Sequence, residues 1–373
     1  MGERAAAEWI AARLGELGAP ARVEEEPAHG GYWWPIGLLN GAAAAAGVLA
    51  LRSRSRLGRL LAGAAGAGAA AALWDDMGGG SQWFRRRALP MRSTWNVVAE
   101  AGPRDAERTV VLIAHHDAAH SGLVFHPALP RIPVERFPEL HAKSTQTVPI
   151  MYLTWLGSAL VATGGLLGRR GALRLGVALG LGTVAAMADI GSRAVVPGAN
   201  DNLSAVAVLL AIAQSLRERP LEDVRVILLS TGSEESFMEG MRGFARRHFP
   251  DLDRERTELL CLECVGGPTL VVLEGEGMLW MRDYPQRSRA ALAAAAERAG
   301  VAVKRGLRTV AATDALIALR AGYEVATLAS VDETNFPANY HWPSDDPDNL
   351  VWGTIGQAVA VTERFLRGRA DAL

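Results

Sequence analysis

The sequence predicts an α/β protein with a mixed, mostly parallel sheet and helices on both faces, plus two inserted helical hairpins. Two observations support this prediction. Short aliphatic and β-branched runs alternate along the chain with segments whose apolar residues recur at helical spacing. In addition, two longer stretches are nearly uncharged and unusually apolar for the surface of such a domain.

The α/β pattern begins at the first residues. Ala7, Ile10 and Leu14 fall on one face of an amphipathic helix over 4–17, and a short strand is expected over 21–26. Further strands are predicted at 95–100, 109–114, 224–229, 259–265, 269–273 and 325–329. Further helices are predicted at 205–216, 237–247, 287–299 and 355–367.

The first hairpin is predicted from two uncharged runs, 36–51 and 60–73. A membrane span needs roughly 20 residues, and these runs reach that length only with their aromatic flanks. The flanks are Tyr32, Trp33 and Trp34 before the pair and Trp74 after it, and the turn contains Arg52, Arg54, Arg56 and Arg59.

The second hairpin follows the same plan. Residues 148–167 are uncharged, Arg169 and Arg170 form the turn, and 171–187 contain one charge, Arg174. Helices rich in Ala and Gly can also be buried in a soluble core, but aromatic entry and arginine turns favour a bilayer. We therefore expect four membrane spans in two hairpins, 36–74 and 148–190, and an α/β domain from 1–35, 75–147 and 191–373.

Composition narrows the choice of partner and compartment. The 39 basic and 40 acidic side chains give a formal charge of −1, so no basic field for nucleic acid is expected. Cys261 and Cys264 are too few for a disulfide scaffold, and strand geometry favours buried packing for both. A cleavable signal peptide is not expected, because Glu3 and Glu8 precede the first apolar run.

Polar residues cluster where predicted strands end. His115 and Asp117 follow one strand, Glu234 and Glu235 follow another, and Glu263 lies within a third. Asp201 precedes a helix, and Tyr340-His341 lies near the end of the chain. Since ligands of open α/β sheets bind at the carboxyl ends of the strands, these side chains are expected to share one crevice.

Their chemistry is that of a hydrolytic pair of zinc ions. Such a pair needs a bridging carboxylate, nitrogen and oxygen ligands, and a nearby base for the bridging water. His115 is the expected ligand, and Asp117 is expected to accept the imidazole N–H and fix its tautomer. Glu234 and Glu235 point in different directions, so one can bind metal while the other takes a proton.

The same residues resemble the family of co-catalytic zinc aminopeptidases and glutamate carboxypeptidases, metallopeptidase family twenty-eight. The resemblance covers most of the chain outside the hairpins and residues 118–147. It rests on eight segments: Asn96–Glu100, His115–Asp117, Gly198–Ser204, Gly232–Glu235, Thr313-Asp314 followed by Ala321-Gly322, and Tyr340–Asp345 with Asp348–Leu350.

This resemblance implies a zinc-exopeptidase-like fold and a specific ligand set. One zinc ion would bind His115, Asp201 and Glu263, and a second would bind Asp201, Glu235 and His341. Glu234 would be the general base, and a cis peptide would follow Asp201. Two positions depart from the family pattern: Glu263 where many members have Asp, and Ala315 where the family has His.

The resemblance predicts a peptide substrate, and aminopeptidase activity is favoured by its frequency in the family. Carboxypeptidase activity, glutaminyl-cyclase chemistry with one zinc ion and an inactive receptor or scaffold remain alternatives. The retained His115 argues against the one-zinc enzyme, and the complete ligand set argues against the inactive protein. His116, His120, His126 and His141 are interpreted as ordinary surface residues.

Two spatial predictions follow from the hairpins. The second hairpin lies between His115 and Asp201, so the crevice should border the membrane surface. Loops rich in Lys and Arg stay in the cytoplasm, so the arginine turns predict an extracytoplasmic catalytic domain. Arg85, Arg86 and Arg87, just past the first hairpin, oppose this orientation.

Overall fold

The computed structural model describes residues 2–53 and 55–370. Arg54, which the sequence places in the first arginine turn, lies outside the described residues. In the described part, the strands are β1 (Ala21–Ala28), β2 (Arg92–Ala101), β3 (Arg108–His115), β4 (Val224–Thr231), β5 (Thr257–Glu263), β6 (Thr269–Val272), β7 (Gly275–Glu276), β8 (Arg282–Asp283), β9 (Arg308–Thr309) and β10 (Glu324–Val331).

The helices include every helix predicted from the sequence. They are α1 (Gly2–Glu16), α2 (Trp33–Arg52), α3 (Arg56–Met77), α4 (Trp83–Ala88), α5 (Ala128–Arg136), α6 (Pro138–Ala142), α7 (Met151–Leu166), α8 (Arg170–Ser192), α9 (Ser204–Glu218), α10 (Glu239–His248), α11 (Gln286–Arg298), α12 (Ala315–Arg320) and α13 (Trp352–Ala370).

Seven strands form the main sheet in the order β1-β2-β4-β3-β5-β10-β6. The four consecutive strands from β4 to β10 are parallel, whereas β1, β2 and β6 pair antiparallel at the edges. A small second sheet has the order β8-β7-β9. The predicted fold class is therefore confirmed, with the parallel strands at the centre.

The two faces of the sheet bury different apolar clusters. Along β3, Val110 and Leu112 belong to a cluster with α1, α9, α11 and α13, whereas Val111 and Ile113 belong to the cluster on the opposite face. This alternation is the two-residue period of a strand. The second cluster contains residues of α10 and α12 and also Ile36, Met77 and Ile190 from the predicted hairpins. The hairpins therefore pack end-on against the sheet domain.

The helices α2, α3, α7 and α8 form one four-helix bundle. Small residues let their backbones approach closely, as in membrane helix packing. A Cβ on Gly165 would lie 2.4 Å from the backbone nitrogen of Gly63. The buried Asn40 donates to the Ile36 carbonyl and accepts a hydrogen bond of 3.2 Å from Ser158.

The helices α2, α3 and α8 are long and apolar enough to cross a membrane, and α7 is a shorter apolar helix. Both arginine turns lie at the end of the bundle away from the sheet, where Arg170 donates a hydrogen bond of 2.7 Å to the Leu51 carbonyl. The aromatic residues Trp33, Trp34 and Trp74 lie on the helix turns that meet the domain. The bundle thus has one arginine-rich end and one aromatic end.

Candidate metal centre

The carboxyl edge of the sheet brings the candidate ligands together. His115 is the last residue of β3 and Glu263 the last of β5, and Glu234 and Glu235 follow β4 within four residues. His341 lies in the loop after β10 and has φ of 52°. Because β3, β4, β5 and β10 are parallel, all these positions lie at one edge.

Asp201 reaches the same point from the turn that precedes α9. The Asp345 carboxylate accepts hydrogen bonds from the backbone N–H groups of Asn200, at 2.6 Å, and Asp201, at 3.1 Å. Asn202 accepts a hydrogen bond from the Cys264 N–H and donates to the Leu262 carbonyl. The turn is thereby tied to the end of β5. The peptide between Asp201 and Asn202 is cis, which confirms that prediction.

The two carboxylate oxygens of Asp201 face two different pairs of side chains. Oδ1 lies 3.1 Å from His115 Nε2, which is also 3.4 Å from Glu263 Oε1. Oδ2 lies 3.2 Å from His341 Nε2, which is also 3.2 Å from Glu235 Oε1. Asp201 therefore lies between two triads, each with one imidazole and a second carboxylate.

Each of these five side chains has a buried polar atom without a hydrogen-bond partner. They are His115 Nε2, Asp201 Oδ1, Glu235 Oε1, Glu263 Oε2 and His341 Nε2. Buried polar groups normally have partners, so five orphaned atoms in one cluster indicate an additional species between them. Imidazole nitrogens and carboxylate oxygens are zinc ligands, and the donor set fits that ion.

The electrostatics of the cluster also favour a cation. Burial lowers the pKa of His341, but the carboxylates of Glu235 and Asp201 outweigh burial and raise that pKa to about 10. Burial raises the pKa values of Glu235 and Glu263, and neighbouring carboxylates, including Asp201, add to that rise. Buried negative charge without compensation is costly, and a bound cation removes that cost.

Asp117 was predicted to orient the His115 imidazole, and it contacts other groups as well. Its backbone carbonyl lies 3.1 Å from His115 Nδ1, and its carboxylate oxygen lies 3.5 Å from the same atom. The carboxylate also accepts hydrogen bonds from the N–H groups of Glu234, at 3.0 Å, and Glu235, at 3.1 Å. Asp117 thus fixes both the imidazole and the loop 232–238 between β4 and α10, which we call the glutamate loop.

Glu234 lies beside the cluster without being part of either triad. Burial raises its pKa well above the ordinary value, and the charges of His115, Glu263, Asp314 and Glu235 also act on it. A carboxyl group in this position can exchange a proton with a molecule held at the triads. Glu234 is thus a buried carboxyl group next to the cluster and not one of its members.

A buried arginine, Arg85, holds the glutamate loop in place, and its burial was not predicted from the sequence. Arg85 of α4 is fully buried and donates two hydrogen bonds of 2.7 Å to Asp76, in the last turn of α3. It also donates a hydrogen bond of 2.6 Å to the carbonyl of Ser236, the residue after Glu235. Gln82 and Arg242 both donate to the Phe237 carbonyl. The helix bundle is therefore fastened to the loop that carries Glu234 and Glu235.

A cavity of about 220 Å³ leads to this centre along the end of the bundle. Its lining includes Asp117 and Glu235 from the cluster, Tyr32 and Trp33 at the start of α2, and His120. The Trp33 and His120 rings lie 4.5 Å apart. Asp117 and Glu235 thus line the same cavity as the start of α2.

The interpretation of four histidines as surface residues is wrong for one of them. His116 is buried and makes a hydrogen bond of 2.9 Å with Ser230, and its backbone N–H donates to the Thr231 carbonyl directly after β3. His120 and His141 donate to the carbonyls of Arg193 and Glu333, and His126 packs on Trp342. Among the described residues, these four have structural partners outside the cluster.

The two cysteines were expected to be buried packing residues. Cys261 agrees with that expectation, whereas Cys264 also makes a polar contact. Both are buried. Cys264 lies beyond the end of β5 with φ of 49°, so strand alternation does not apply to it. Its thiol donates to Glu263 Oε1 at 3.4 Å and lies near the Asp201 carboxylate.

Further residues contact the centre, and of these Phe125 carried no sequence signal. Phe125, from the inserted segment 118–147, lies 4.5 Å from the His341 ring, and Tyr340 stacks on that ring at 3.8 Å. Asp314 is buried and accepts a hydrogen bond from Thr231. Burial and neighbouring carboxylates raise the pKa of Asp314 to about 7. Ala315, where the resemblance led us to expect a histidine, is the first residue of α12 and is buried.

Comparison with known proteins gave one family match. Residues 182–366 match the family described as Peptidase family M28. The matched range contains Asp201, Glu234, Glu235, Glu263 and His341, and His115 lies before it. No curated protein matched the sequence.

Solved structures share the fold at low sequence identity. Glutaminyl cyclase from Tannerella forsythia has a TM-score of 0.54 at 14% identity over 98% of this chain and 88% of its own. BSAP, a zinc aminopeptidase from Bacillus subtilis, has a TM-score of 0.51 at 14% identity over 98% and 89%. An aminopeptidase from Aneurinibacillus sp. strain AM-1 has a TM-score of 0.45 at 16% identity over 74% of this chain, which spans only 48% of its length.

Proposed function

The chain belongs to peptidase family M28, a family of zinc metallopeptidases, and on that premise we propose that it is a membrane-anchored di-zinc aminopeptidase. The proposed ligands of the two zinc ions are His115, Asp201 and Glu263 for one and Asp201, Glu235 and His341 for the other. Glu234 is the proposed general base. The observation that carries the proposal is the position of Asp201, whose two oxygens face two imidazoles on opposite sides.

The two-zinc stoichiometry rests on the donor set of each triad. Each contains one imidazole and two carboxylates if Asp201 is shared, which matches the three protein ligands of a catalytic zinc site. A single ion would bind only one of the two imidazoles, although His115 Nε2 and His341 Nε2 each lie against two carboxylate oxygens. The equivalent surroundings of the two imidazoles support one ion for each.

The reaction follows from the positions of these side chains. Bound zinc would polarise the scissile carbonyl and lower the pKa of water toward about 7. Glu234, beside the triads, takes the proton of the attacking water and later returns it to the leaving amine. Asp117 keeps the Glu234 backbone in place through its N–H. Tyr32 and Trp33 form one wall of the cavity beside Glu235.

Glutaminyl cyclization is the second candidate, because the chain shares its fold with the glutaminyl cyclase from Tannerella forsythia. We favour hydrolysis because His115 is present at a second triad. The substrates that the enzyme accepts would distinguish aminopeptidase, glutaminyl cyclase and carboxypeptidase activity. Aminoacyl amides are hydrolysed by an aminopeptidase only if the α-amine is free, whereas a glutaminyl cyclase releases ammonia from an N-terminal glutamine.

We expect the purified full-length protein with zinc to hydrolyse aminoacyl amides and to leave their N-acetylated counterparts intact. The reason is that a free α-amine is the group that distinguishes an aminopeptidase substrate. The measurement is the rate of release of a fluorescent amine from both series, with glutaminyl peptides followed for ammonia. Hydrolysis of blocked peptides from the carboxyl end, or cyclization alone, would refute aminopeptidase activity and leave the metal assignment standing.

We further propose that the bundle is the membrane anchor, with four spans in two hairpins at 36–74 and 148–190. Residues 1–35, 75–147 and 191–373 would then form the peptidase domain. Three helices of sufficient length and apolarity support this division, and so do the aromatic residues at the domain end. The fourth span, α7, has 16 residues and is the shortest of the four.

The proposed orientation places the arginine turns in the cytoplasm and the peptidase domain outside it. Arg85, one of three arginines that opposed this orientation, is fully buried against Asp76. Its charge is therefore compensated within the fold, which weakens the opposing signal. Arg86 and Arg87 are exposed.

An alkaline phosphatase fused after Leu373 is expected to be active in a bacterial host, because this enzyme needs an extracytoplasmic compartment to form its disulfides. A green fluorescent protein at the same position should be dark if exported unfolded. A matched pair of fusions in the second arginine turn, after Arg169, should show the opposite pattern. Cytoplasmic activity at the carboxyl terminus would contradict the orientation without affecting the zinc chemistry.

A further inference from the structure

Residues 123–150, which we call the interface segment, expose an unusual number of large apolar side chains. The segment follows β3, contains α5 and α6 and ends where α7 begins. Its exposed large apolar residues in the described structure are Leu123, Leu129, Ile132, Phe137, Leu140, Val148 and Ile150. Large apolar side chains exposed in this number on one segment indicate an interaction surface.

The exposed face of this segment mixes apolar and charged side chains. Ile132 and Leu140 are 51% and 71% exposed. The exposed charged residues among them are Arg131, Glu135, Arg136, Glu139 and Lys143. His141 attaches the segment to the peptidase domain through a hydrogen bond of 3.0 Å to the Glu333 carbonyl. A mixture of apolar and charged side chains on one outer face suits a segment at the boundary between lipid and water.

Both ends of the segment join the bundle where its aromatic residues lie. The Leu123 N–H donates a hydrogen bond of 2.6 Å to Asp189, in the last turns of α8. At the other end, Val148 and Ile150 lead directly into α7. The interface segment is therefore continuous with the apolar surface of the bundle.

Other exposed aromatic residues lie at the end of the bundle to which the interface segment is attached. Trp34 at the start of α2 and Trp74 near the end of α3 are exposed by 54% and 42%. Tyr152 at the start of α7 donates to the Leu279 carbonyl and so places the exposed Trp280 near this end of the bundle. Trp and Tyr are enriched at the membrane–water interface. The common occupant that fits these surfaces is a lipid bilayer.

We propose that the interface segment is a second membrane contact, which lies in the plane of the bilayer surface and presents Leu129, Ile132, Phe137 and Leu140 to lipid. The proposal rests on the proposed insertion of the bundle. Its consequence for the enzyme is positional: Phe125 of the segment lies 4.5 Å from His341. The mouth of the crevice is thereby held at the level of the headgroups.

The test uses single labelled cysteines in the full-length protein. Cys261 and Cys264 are buried, so the unchanged protein gives the labelling background. Ile132→Cys and Leu140→Cys are labelled with a nitrobenzoxadiazole fluorophore and reconstituted into phosphatidylcholine and phosphatidylglycerol vesicles. We expect blue-shifted emission and strong quenching by lipids that carry a nitroxide near the headgroup. The control, Glu255→Cys, lies before β5 at the opposite edge of the sheet and should show neither effect.

A label on the bundle separates this inference from the anchoring on which it rests. Leu181 lies in the middle of α8 and is 53% exposed, so Leu181→Cys should be quenched by nitroxides deep in the acyl chains. Quenching at 181 with none at 132 and 140 would overturn the interface segment alone. No quenching at 181 would overturn the membrane anchor itself. A blue shift at 132 and 140 without lipid quenching would indicate a protein cover and would also overturn the inference.

Discussion

Glu234→Gln is expected to reduce kcat by about 10²–10⁴-fold and to leave the zinc content unchanged. Glutamine has the size of glutamate but cannot accept a proton at neutral pH. Because Glu234 belongs to neither triad, its replacement removes the proposed base and no proposed ligand. The measurement is the steady-state hydrolysis of an aminoacyl amide together with metal analysis of the same preparation.

The neighbouring glutamate provides the contrast for this experiment. Glu235 Oε1 lies 3.2 Å from His341 Nε2, so Glu235→Gln should weaken metal binding as well as turnover. Both variants keep the backbone N–H groups that bind the Asp117 carboxylate. Unchanged turnover in Glu234→Gln would refute the role of this residue. Loss of zinc in Glu234→Gln would make it a ligand instead.

The sheet, and the edge at which the candidate ligands meet, could be predicted from the sequence because both depend on local patterns. The strands β3, β4, β5 and β10 are buried on both faces and appear as continuous apolar runs. In parallel strands, the residue that ends each run lies at the same edge. His115 and Glu263 could therefore be brought to one edge without knowing the strand order.

The attachment of the bundle to the domain could not be predicted in the same way. The hairpin helices have apolar residues on all sides, so their pattern does not show which residues meet the sheet. Ile36, Met77 and Ile190 complete the core on one face of the sheet. That contact joins segments far apart in the chain, and its only sequence signal was their apolar composition.

The burial of the charged residue Arg85 could not be predicted from the sequence either. Within Arg85-Arg86-Arg87 it has no local feature that distinguishes it from its two neighbours. Its burial depends on Asp76, nine residues earlier, and on the Ser236 carbonyl, which is 151 positions later. A buried charge needs partners in three dimensions, and sequence spacing alone does not identify them.

Asp201→Ala is expected to remove both zinc ions, whereas His115→Ala is expected to remove one. The reason is the bridging geometry: Asp201 Oδ1 and Oδ2 each face a different imidazole, whereas His115 contacts only one of the two triads. The proposed zinc ions would polarise the substrate and activate the nucleophile, so their loss should reduce turnover by about 10³-fold or more.

The zinc content of the unchanged protein and of both variants should be measured after dialysis against a fixed concentration of free zinc. Glu234→Gln serves as the control that retains both ions, and circular dichroism checks that each variant is folded. We expect two zinc ions per unchanged chain, one in His115→Ala and none in Asp201→Ala. If the unchanged, folded protein binds at most one ion under saturating zinc, the shared-carboxylate assignment of Asp201 is wrong. A one-zinc enzyme would then be the remaining alternative, and glutaminyl cyclization would be the first activity to measure.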